Sequence, residues 1–290
     1  MDWLADLTKL FSKAVERACE DKVGVIFSAG VDSALVAYVC SDYSDVTAYN
    51  VGVAGSLDTE HARRLESEAP FDVKYVELTS EDVEALVPEV LSCWGNVNPL
   101  TVGVGIPFYC ASKAASADGL DVLLCGQGGD ELFGGYWRYL EAMVSKGPDA
   151  VSQWMEKDCA NAYEDNLNRD IAMNKKNSTQ LRFPFLDDAF ADYVRKMPLE
   201  LKIREDADDI VCDEVGGRRF ARKYALKKLA FNMGVPEYIV NRLKKAAQYG
   251  SATHKTLDKI ARARGYKKKA ADAGRKDYLQ MYLEDINSQL

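Results

Sequence analysis

Two stretches of this chain set carboxylates and hydroxyls among small residues at a spacing suited to holding phosphate and metal. The first is Gly126-Gln127-Gly128-Gly129-Asp130-Glu131-Leu132-Phe133-Gly134-Gly135-Tyr136, in which two adjacent acids stand among five glycines. Helix and strand interiors disfavour such a run, whereas a backbone that must approach an anion closely makes use of it. The second is Ser28-Ala29-Gly30-Val31-Asp32-Ser33. A small-residue loop ahead of a helix N-terminus turns backbone N–H groups and the helix dipole toward an anion, and Ser28 and Ser33 add hydroxyl donors. Asp32 repels phosphate unless a cation lies between them, so an Asp inside this loop implies Mg2+ bridging carboxylate and phosphate oxygens. For this turn alone, a capped helix start with a solvated Asp stays open. The loop lacks the Gly-Lys-Ser/Thr ending of a Walker A loop and the Gly-x-Gly-x-x-Gly spacing of a dinucleotide reader, so neither of those sites is supported.

Both turns follow apolar, strand-like segments, Val23-Gly24-Val25-Ile26-Phe27 and Val122-Leu123-Leu124-Cys125. Two strand-to-turn junctions with polar loops place one site at one edge of a parallel sheet. The elements around them alternate. Residues 2–20 repeat apolar side chains every three or four positions, the pattern of an amphipathic helix. A strand at 23–27, a helix over 33–40 and a strand near Val46–Val53 come next, then a helical Thr59–Glu68, a strand at Phe71–Leu78 and a strand at Val122–Cys125. Strand, helix, strand, repeated, predicts a doubly wound parallel α/β sheet. Beyond about residue 140 the β-branched runs fade, and Arg218–Asn232 reads as a helix, with Ala221, Ala225 and Leu229 spaced by four. The expected organisation is an N-terminal amphipathic helix over 1–20, an α/β core over 21–145 and a mainly helical part of the same domain over 146–290.

Composition narrows the function classes. The chain has 290 residues, 47% of them apolar, which suits a globular domain. There is no run of about 18 uncharged apolar residues and no basic flank before an apolar N-terminal core, so a cytoplasmic protein without a membrane partner is expected. Seven scattered cysteines form no Cys-x-x-Cys pair, and with only two histidines present they are expected to be buried thiols, not zinc ligands or a disulfide framework. The net charge of −8 argues against a dedicated nucleic-acid binder, yet Arg242 to Lys276 holds twelve Lys/Arg against Asp258 and Asp272. Such a run is a solvated helical face or an attractor of polyphosphate or RNA.

The loop SAGVDS resembles the Ser-Gly-Gly-x-Asp-Ser pyrophosphate loop of N-type ATP pyrophosphatases, the PP-loop superfamily. GQGGDELFGGY is similar to the signature of the synthetase domain of asparagine synthetases. Two further segments follow in that family's order: Arg182-Phe183-Pro184-Phe185-Leu186-Asp187 and Arg242-Leu243-Lys244. The resemblance runs from about residue 22 to 252. It implies that Ser28, Gly30, Asp32 and Ser33 cradle the ATP β- and γ-phosphates, with Phe27, Val53 and Gly126 bordering the adenosine. It also implies that Asp32 and Asp130 hold Mg2+ on the departing pyrophosphate, and that Lys244 stabilises charge at the α-phosphate. Arg169 is a lesser candidate for substrate or phosphate contact, against the alternative of a surface arginine. Glu131 and the Phe133–Tyr136 turn are expected to be mainly structural. The implied reaction activates a carboxylate with ATP as an acyl-adenylate, releasing pyrophosphate, and an amine then attacks the acyl carbon.

The chain departs from that family at informative positions. It begins Met1-Asp2-Trp3, without the glutaminase domain whose nucleophilic Cys follows Met, so nitrogen is expected from free ammonia, a separate glutaminase subunit or an amine substrate. Gln127 stands where the family carries Glu between the first two glycines of the signature, and Gln180 where it carries Glu two residues before the Arg-x-Pro-Phe arginine. A carboxamide cannot act as a base near neutral pH, so the nucleophile arrives neutral or the substrate differs from aspartate. Gln127 joins Lys244 and Asp130 as a candidate catalytic position on this ground. Ala29 replaces the family's first loop glycine and demands a backbone that tolerates a Cβ. The leading expectation is an AMP-forming amide ligase acting on a small-molecule carboxylate, by default aspartate, with ammonia or another amine. Further copies of the chain are admitted as partners, and RNA is less favoured. The alternatives are an adenylating enzyme that modifies a tRNA base or a deazapurine, and a non-catalytic nucleotide-binding regulator.

Overall fold

A computed structural model, describing residues 2–243 and 245–290, builds five parallel strands into one sheet: β1 (Lys22–Ile26), β2 (Asp45–Val53), β3 (Asp72–Leu78), β4 (Val122–Leu124) and β5 (Gln180–Arg182), in the order β3-β2-β1-β4-β5. Four of these are the strands expected from the apolar runs. The runs are nearly continuous because both faces of the sheet are covered. Side chains alternate across a strand, so Val46, Ala48, Val122 and Leu124 join one core and Tyr49, Val51, Leu123 and Cys125 the other. Helices α1 (Trp3–Ala18), α2 (Val31–Cys40) and α3 (Leu57–Leu65) supply apolar side chains to the first core, and α4 (Ser80–Trp94) and α5 (Pro99–Ala117) to the second. No helix among the described residues is long and apolar enough to cross a membrane, and all seven cysteines are free thiols.

The chain order carries a functional consequence. From β1 the chain builds outward through β2 and β3, then returns to place β4 on the opposite side of β1. Such a reversal opens a crevice at the carboxyl ends of the two diverging strands, where doubly wound sheets hold their ligands. Both glycine turns emerge there: residues 27–30 follow β1 and residues 125–128 follow β4.

The second half is helical with two exceptions. It begins with α6 (Gly129–Phe133), α7 (Trp137–Ser145) and α8 (Pro148–Ala162), a π-turn at Tyr163–Leu167 and α9 (Asn168–Lys176). It then supplies β5 to the main sheet, followed by α10 (Asp188–Arg195) and α11 (Leu199–Lys202). The second exception is a small antiparallel sheet of β6 (Ile203–Glu205), β7 (Asp213–Val215) and β8 (Arg218–Arg222), in the order β6-β8-β7. The single helix expected over Arg218–Asn232 is therefore split into β8 and α12 (Tyr224–Asn232). Gly216 and Gly217, at φ 60° and 75°, form the two-residue turn between β7 and β8. Lys223, at φ 56°, makes the break between strand and helix. The two halves share one core: Phe11 of α1 packs on Phe185 and Phe190, with ring centroids 4.9 and 5.1 Å apart.

Candidate active site

The phosphate-type loop is held by its own hydroxyls. Ser28 N–H donates to Ser33 Oγ at 3.2 Å, Gly30 N–H donates to Ser28 Oγ at 3.3 Å, and Ser33 Oγ–H donates to the Gly30 carbonyl at 3.2 Å. Gly30 caps α2 without a side-chain acceptor, which leaves first-turn N–H groups and the positive end of the helix dipole for an anion. Ala29 adopts φ 52° with its methyl fully buried. The left-handed region costs a non-glycine residue about 1–2 kcal/mol, a strain typical of functional turns. The signature turn lies directly against this loop. A Cβ on Gly126 would sit 2.7 Å from Asp32 Cβ and 2.9 Å from Ser33 N, so only glycine lets the two turns touch.

At their contact the site gathers its charges. Asp32 and Asp130 both reach the ammonium of Lys223, whose Nζ lies 2.6 Å from each Asp32 carboxylate oxygen and 2.7 Å from Asp130 Oδ1. Lys223 is buried. Burial alone draws its pKa down, but the attraction of Asp130 and Asp32 outweighs it and holds the amine above its ordinary value. Gly135 is required beside this triad, because any Cβ there would collide with the Asp130 carboxylate and the Lys223 side chain. The sequence reading missed Lys223, which it folded into an unbroken helix.

A small cavity, ≈ 50 Å³, adjoins the loop and is lined by five cations, Arg222, Lys223, Lys227, Arg242 and Lys245, against Asp32 and Asp58. Ser28 and Gly30 form its loop wall. Arg242 braces that wall: one Nη donates to the Ser28 carbonyl at 2.8 Å and the other to Asp58 Oδ1 at 2.5 Å. Arg222 donates to the Gly135 carbonyl at 2.8 Å and pairs with Asp213 across the small sheet. Lys227 is buried, and the loss of hydration, opposed by Asp213 but reinforced by Arg222 and Lys223, draws its pKa down to about 8. A pocket this rich in cations beside an uncapped helix start suits a polyphosphate.

A larger cavity of ≈ 430 Å³ continues from it, lined by Phe27, Ser28, Asp32, Ser33, Gly126, Gln127, Asp130 and Arg169 among others. Apolar walls from Ile26, Tyr49, Val51, Val104 and Phe108 make one part of it suited to a flat base. Gln127 is fixed here: its Nε2 donates to Asp170 Oδ2 at 2.6 Å, and Arg169 Nε donates to Asp170 Oδ1 at 2.7 Å. Asp170 is fully buried. Desolvation raises its pKa, partly offset by Arg169 and Gln127. Arg169 is thus a buried member of this network and not a surface arginine. Glu131 accepts from the Tyr136 hydroxyl at 2.5 Å, and burial, followed by the nearby Asp130, raises its pKa.

Two expected residues are placed differently. Val53 lines neither cavity, and its N–H donates to the Ser251 carbonyl at 2.9 Å. Gln180 begins β5, opposite Val122 at the amino end of the sheet, is exposed, and accepts from Arg182 at 2.9 Å. It lines neither cavity. Lys244 lies outside the described residues.

The two carboxylates fit a divalent ion. Asp32 and Asp130 present hard oxygen ligands on Lys223 Nζ beside an anion loop, and Mg2+ takes one or two protein carboxylates of this kind and completes its shell with phosphate oxygens and water. Among the described residues no group of three or more His, Cys, Asp or Glu could hold a metal alone. The arginines of the basic run, by contrast, are paired, as is one of its lysines. Arg262 meets Asp258, Arg264 meets Glu84, Lys269 meets Asp285, and Arg275 meets Asp277 and Glu284.

The family model described as asparagine synthase matches residues 6–149 and 143–283. A Methanocaldococcus jannaschii protein, provisionally named asparagine synthetase 1 (glutamine-hydrolyzing), is 35% identical over 287 residues, covering 93% of this chain and 52% of that protein. A probable asparagine synthetase (glutamine-hydrolyzing) of Dictyostelium discoideum is 26% identical over 225 residues, covering 71% of this chain and 38% of its own length. The chain spans about half, or less, of the length of these relatives.

Proposed function

The chain belongs to the asparagine synthase family, and on that premise we propose that it is an ATP-dependent, AMP- and pyrophosphate-forming amide ligase. It activates a small carboxylate, by default aspartate, as an acyl-adenylate and passes the acyl group to ammonia or another neutral amine. The observation that carries the reading is the meeting of Asp32, Asp130 and Lys223 at the junction of an uncapped anion loop and a pocket of cations. In this reading the loop N–H groups and the cations beside them hold the β- and γ-phosphates, and Asp32 and Asp130 hold Mg2+. The ion, when bound, neutralises charge on the departing pyrophosphate. Lys223 and Lys227 keep that pocket positive as pyrophosphate charge develops, an electrostatic stabilisation that needs no reorganisation.

Gln127 decides what the acceptor must be. Its amide is committed to Asp170, and a carboxamide removes no proton from ammonium. We therefore assign it to substrate positioning and take the nucleophile as already neutral, supplied as ammonia from solution or from a glutaminase partner.

Pyrophosphate release measured across panels of carboxylates and amines, with Asp130→Asn as the blank, tests the reading. Release dependent on aspartate and ammonium is the expected result. Release that requires RNA would replace the substrate assignment with a nucleic-acid one. ATP binding with no release across the panel would leave a non-catalytic regulator in its place.

A further inference from the structure

Away from the active site the fold brings two thiols together. Cys19 caps the end of α1, and Cys40 is the last residue of α2. Their sulfurs lie 3.2 Å apart in a thiol–thiol hydrogen bond, although the residues are 21 positions apart in the chain. Both backbones are anchored. The Cys19 N–H donates to the Val15 and Glu16 carbonyls at 3.0 and 3.3 Å. Arg182 of β5 grips the residues on either side, donating to the Ala18 carbonyl at 2.9 Å and to Glu20 Oε1 at 2.8 Å. The Cys40 carbonyl accepts from the Tyr43 and Ser44 N–H groups, each at 2.9 Å, and Ser44 Oγ–H donates to the Glu20 carbonyl at 2.6 Å. The two turns are thus fixed on each other as well as on their own helices. Cys93 and Cys212 show the commoner arrangement, each donating to a backbone carbonyl.

The two sulfurs differ as an attacking and a resolving thiol must. Cys19 is partly exposed and Cys40 is fully buried. The hydrogen bond from Cys40, opposed by burial and helped by Ser44 and Arg182, draws the Cys19 thiol below its ordinary value. The same bond, and then desolvation, pushes Cys40 up. The thiolate is the nucleophile, which makes Cys19 the attacking sulfur. We propose that Cys19 and Cys40 form a reversible disulfide when the protein meets a hydroperoxide. With hydrogen peroxide, the Cys19 thiolate takes one oxygen to become a sulfenic acid, and hydroxide leaves as the O–O bond breaks. Cys40 Sγ then attacks Cys19 Sγ: the S–S bond forms, the S–O bond breaks, and the hydroxyl departs with the Cys40 proton as water. Two thiols lose two electrons in all, and one peroxide gains them. A dithiol reductant reverses the bond by exchange. The disulfide closes a covalent loop that contains β1, the turn at residues 27–30 and all of α2. It therefore staples the segment that carries Ser28, Gly30, Asp32 and Ser33, from the opposite end of α2.

The test is mass spectrometry of the intact, folded chain before and after treatment with hydrogen peroxide. Reduced protein, unfolded and alkylated, takes seven alkyl groups, one for each cysteine. Oxidised protein is expected to take two fewer, with peptide mapping joining Cys19 to Cys40, and dithiothreitol is expected to restore all seven. In Cys40→Ser the oxidised Cys19 should persist as a sulfenic acid that dimedone traps, and in Cys19→Ser the buried Cys40 should keep its thiol. The linked wild type is expected to unfold about 5–10 °C above the reduced form, because the bond restricts the unfolded chain. Peroxide that leaves all seven thiols free, or that oxidises Cys19 without joining it to Cys40, would overturn the proposal. Both of those results are read on the wild-type chain, whatever the fate of the variants. A linked form no more stable than the reduced one would overturn the staple. None of these outcomes depends on the chain being a ligase.

Discussion

Replacing Lys223 with methionine removes an ammonium that Asp32 and Asp130 share while keeping the volume of the buried stem. Each carboxylate lies 2.6–2.7 Å from Nζ, so their nearest oxygens are within about 5 Å of one another, and two unit charges at that separation repel by roughly 3 kcal/mol at an effective dielectric of about 20. Removing one partner of a buried ion pair costs about 3–5 kcal/mol by comparison with other proteins. Both arguments give Lys223→Met a loss of about 3–5 kcal/mol at neutral pH. At about 2–4 °C per kcal/mol for a chain of this size, that is a drop in Tm on the order of 10 °C.

The pH dependence separates this mechanism from a packing defect. Without Lys223 one of the two carboxyls is expected to protonate more readily than in the unfolded chain, where Asp titrates near 3.9. A folded-state pKa above the unfolded one means the penalty is absent below about pH 4 and complete once pH has risen past the folded value. Lys223→Met is thus expected to approach wild-type stability near pH 4 and to fall furthest behind near pH 7.5. Mg2+ should stabilise the variant more than the wild type, and Asp130→Asn in the same chain should recover part of the loss in a double-mutant cycle. Urea unfolding at pH 4.5 and 7.5, with and without Mg2+, reads all three. A deficit equal at both pH values, or no deficit at all, would refute the electrostatic account.

Two further substitutions test the surrounding network. Gln127→Glu replaces the amide that donates to Asp170 Oδ2 with a second carboxylate, so stability is expected to fall by about 2–3 kcal/mol at pH 7.5 and to recover toward pH 5 as the pair shares a proton, checked by urea unfolding at both pH values. Lys227→Met should weaken inorganic pyrophosphate binding about tenfold. As pH rises through about 8 the wild type should lose its affinity advantage over the variant, measured by calorimetry. Its effect on stability has the opposite sign: the folded pKa lies below the unfolded value of 10.5, so the burial penalty is present below pH 8 and shrinks above it, making the variant the more stable protein at pH 7.

What the sequence made legible follows from how much chain each feature occupies. β1 to β4 were readable because a strand covered on both faces must be apolar at nearly every position, and the glycine turns because few other structures tolerate them. β5 is three residues, Gln180-Leu181-Arg182, with one buried position, too short for any periodicity. The small sheet is as brief, and its one local signal is Gly216-Gly217 between two short runs, a hairpin turn obscured by the spacing of Ala221, Ala225 and Leu229. Because that turn was passed over, Lys223 disappeared into a helical face of lysines and arginines. Gln180 shows the converse: its place in a motif drew attention, but it stands at the amino end of β5, away from the cavities.

Lys223 also explains why the missing information was of a long-range kind. It lies 191 residues from Asp32 in the chain, and nothing local distinguishes it from Lys227 or Lys228. What selects it is the left-handed turn at its own backbone, which ends β8 and starts α12, and directs this one amine to the place where β1 and β4 diverge. The small sheet is therefore the device that carries a cation from the helical half into the carboxylate pair of the α/β half. Lys223 thus sets a fixed positive charge against both carboxylates, and in the proposed reaction it shares them with the metal–phosphate complex.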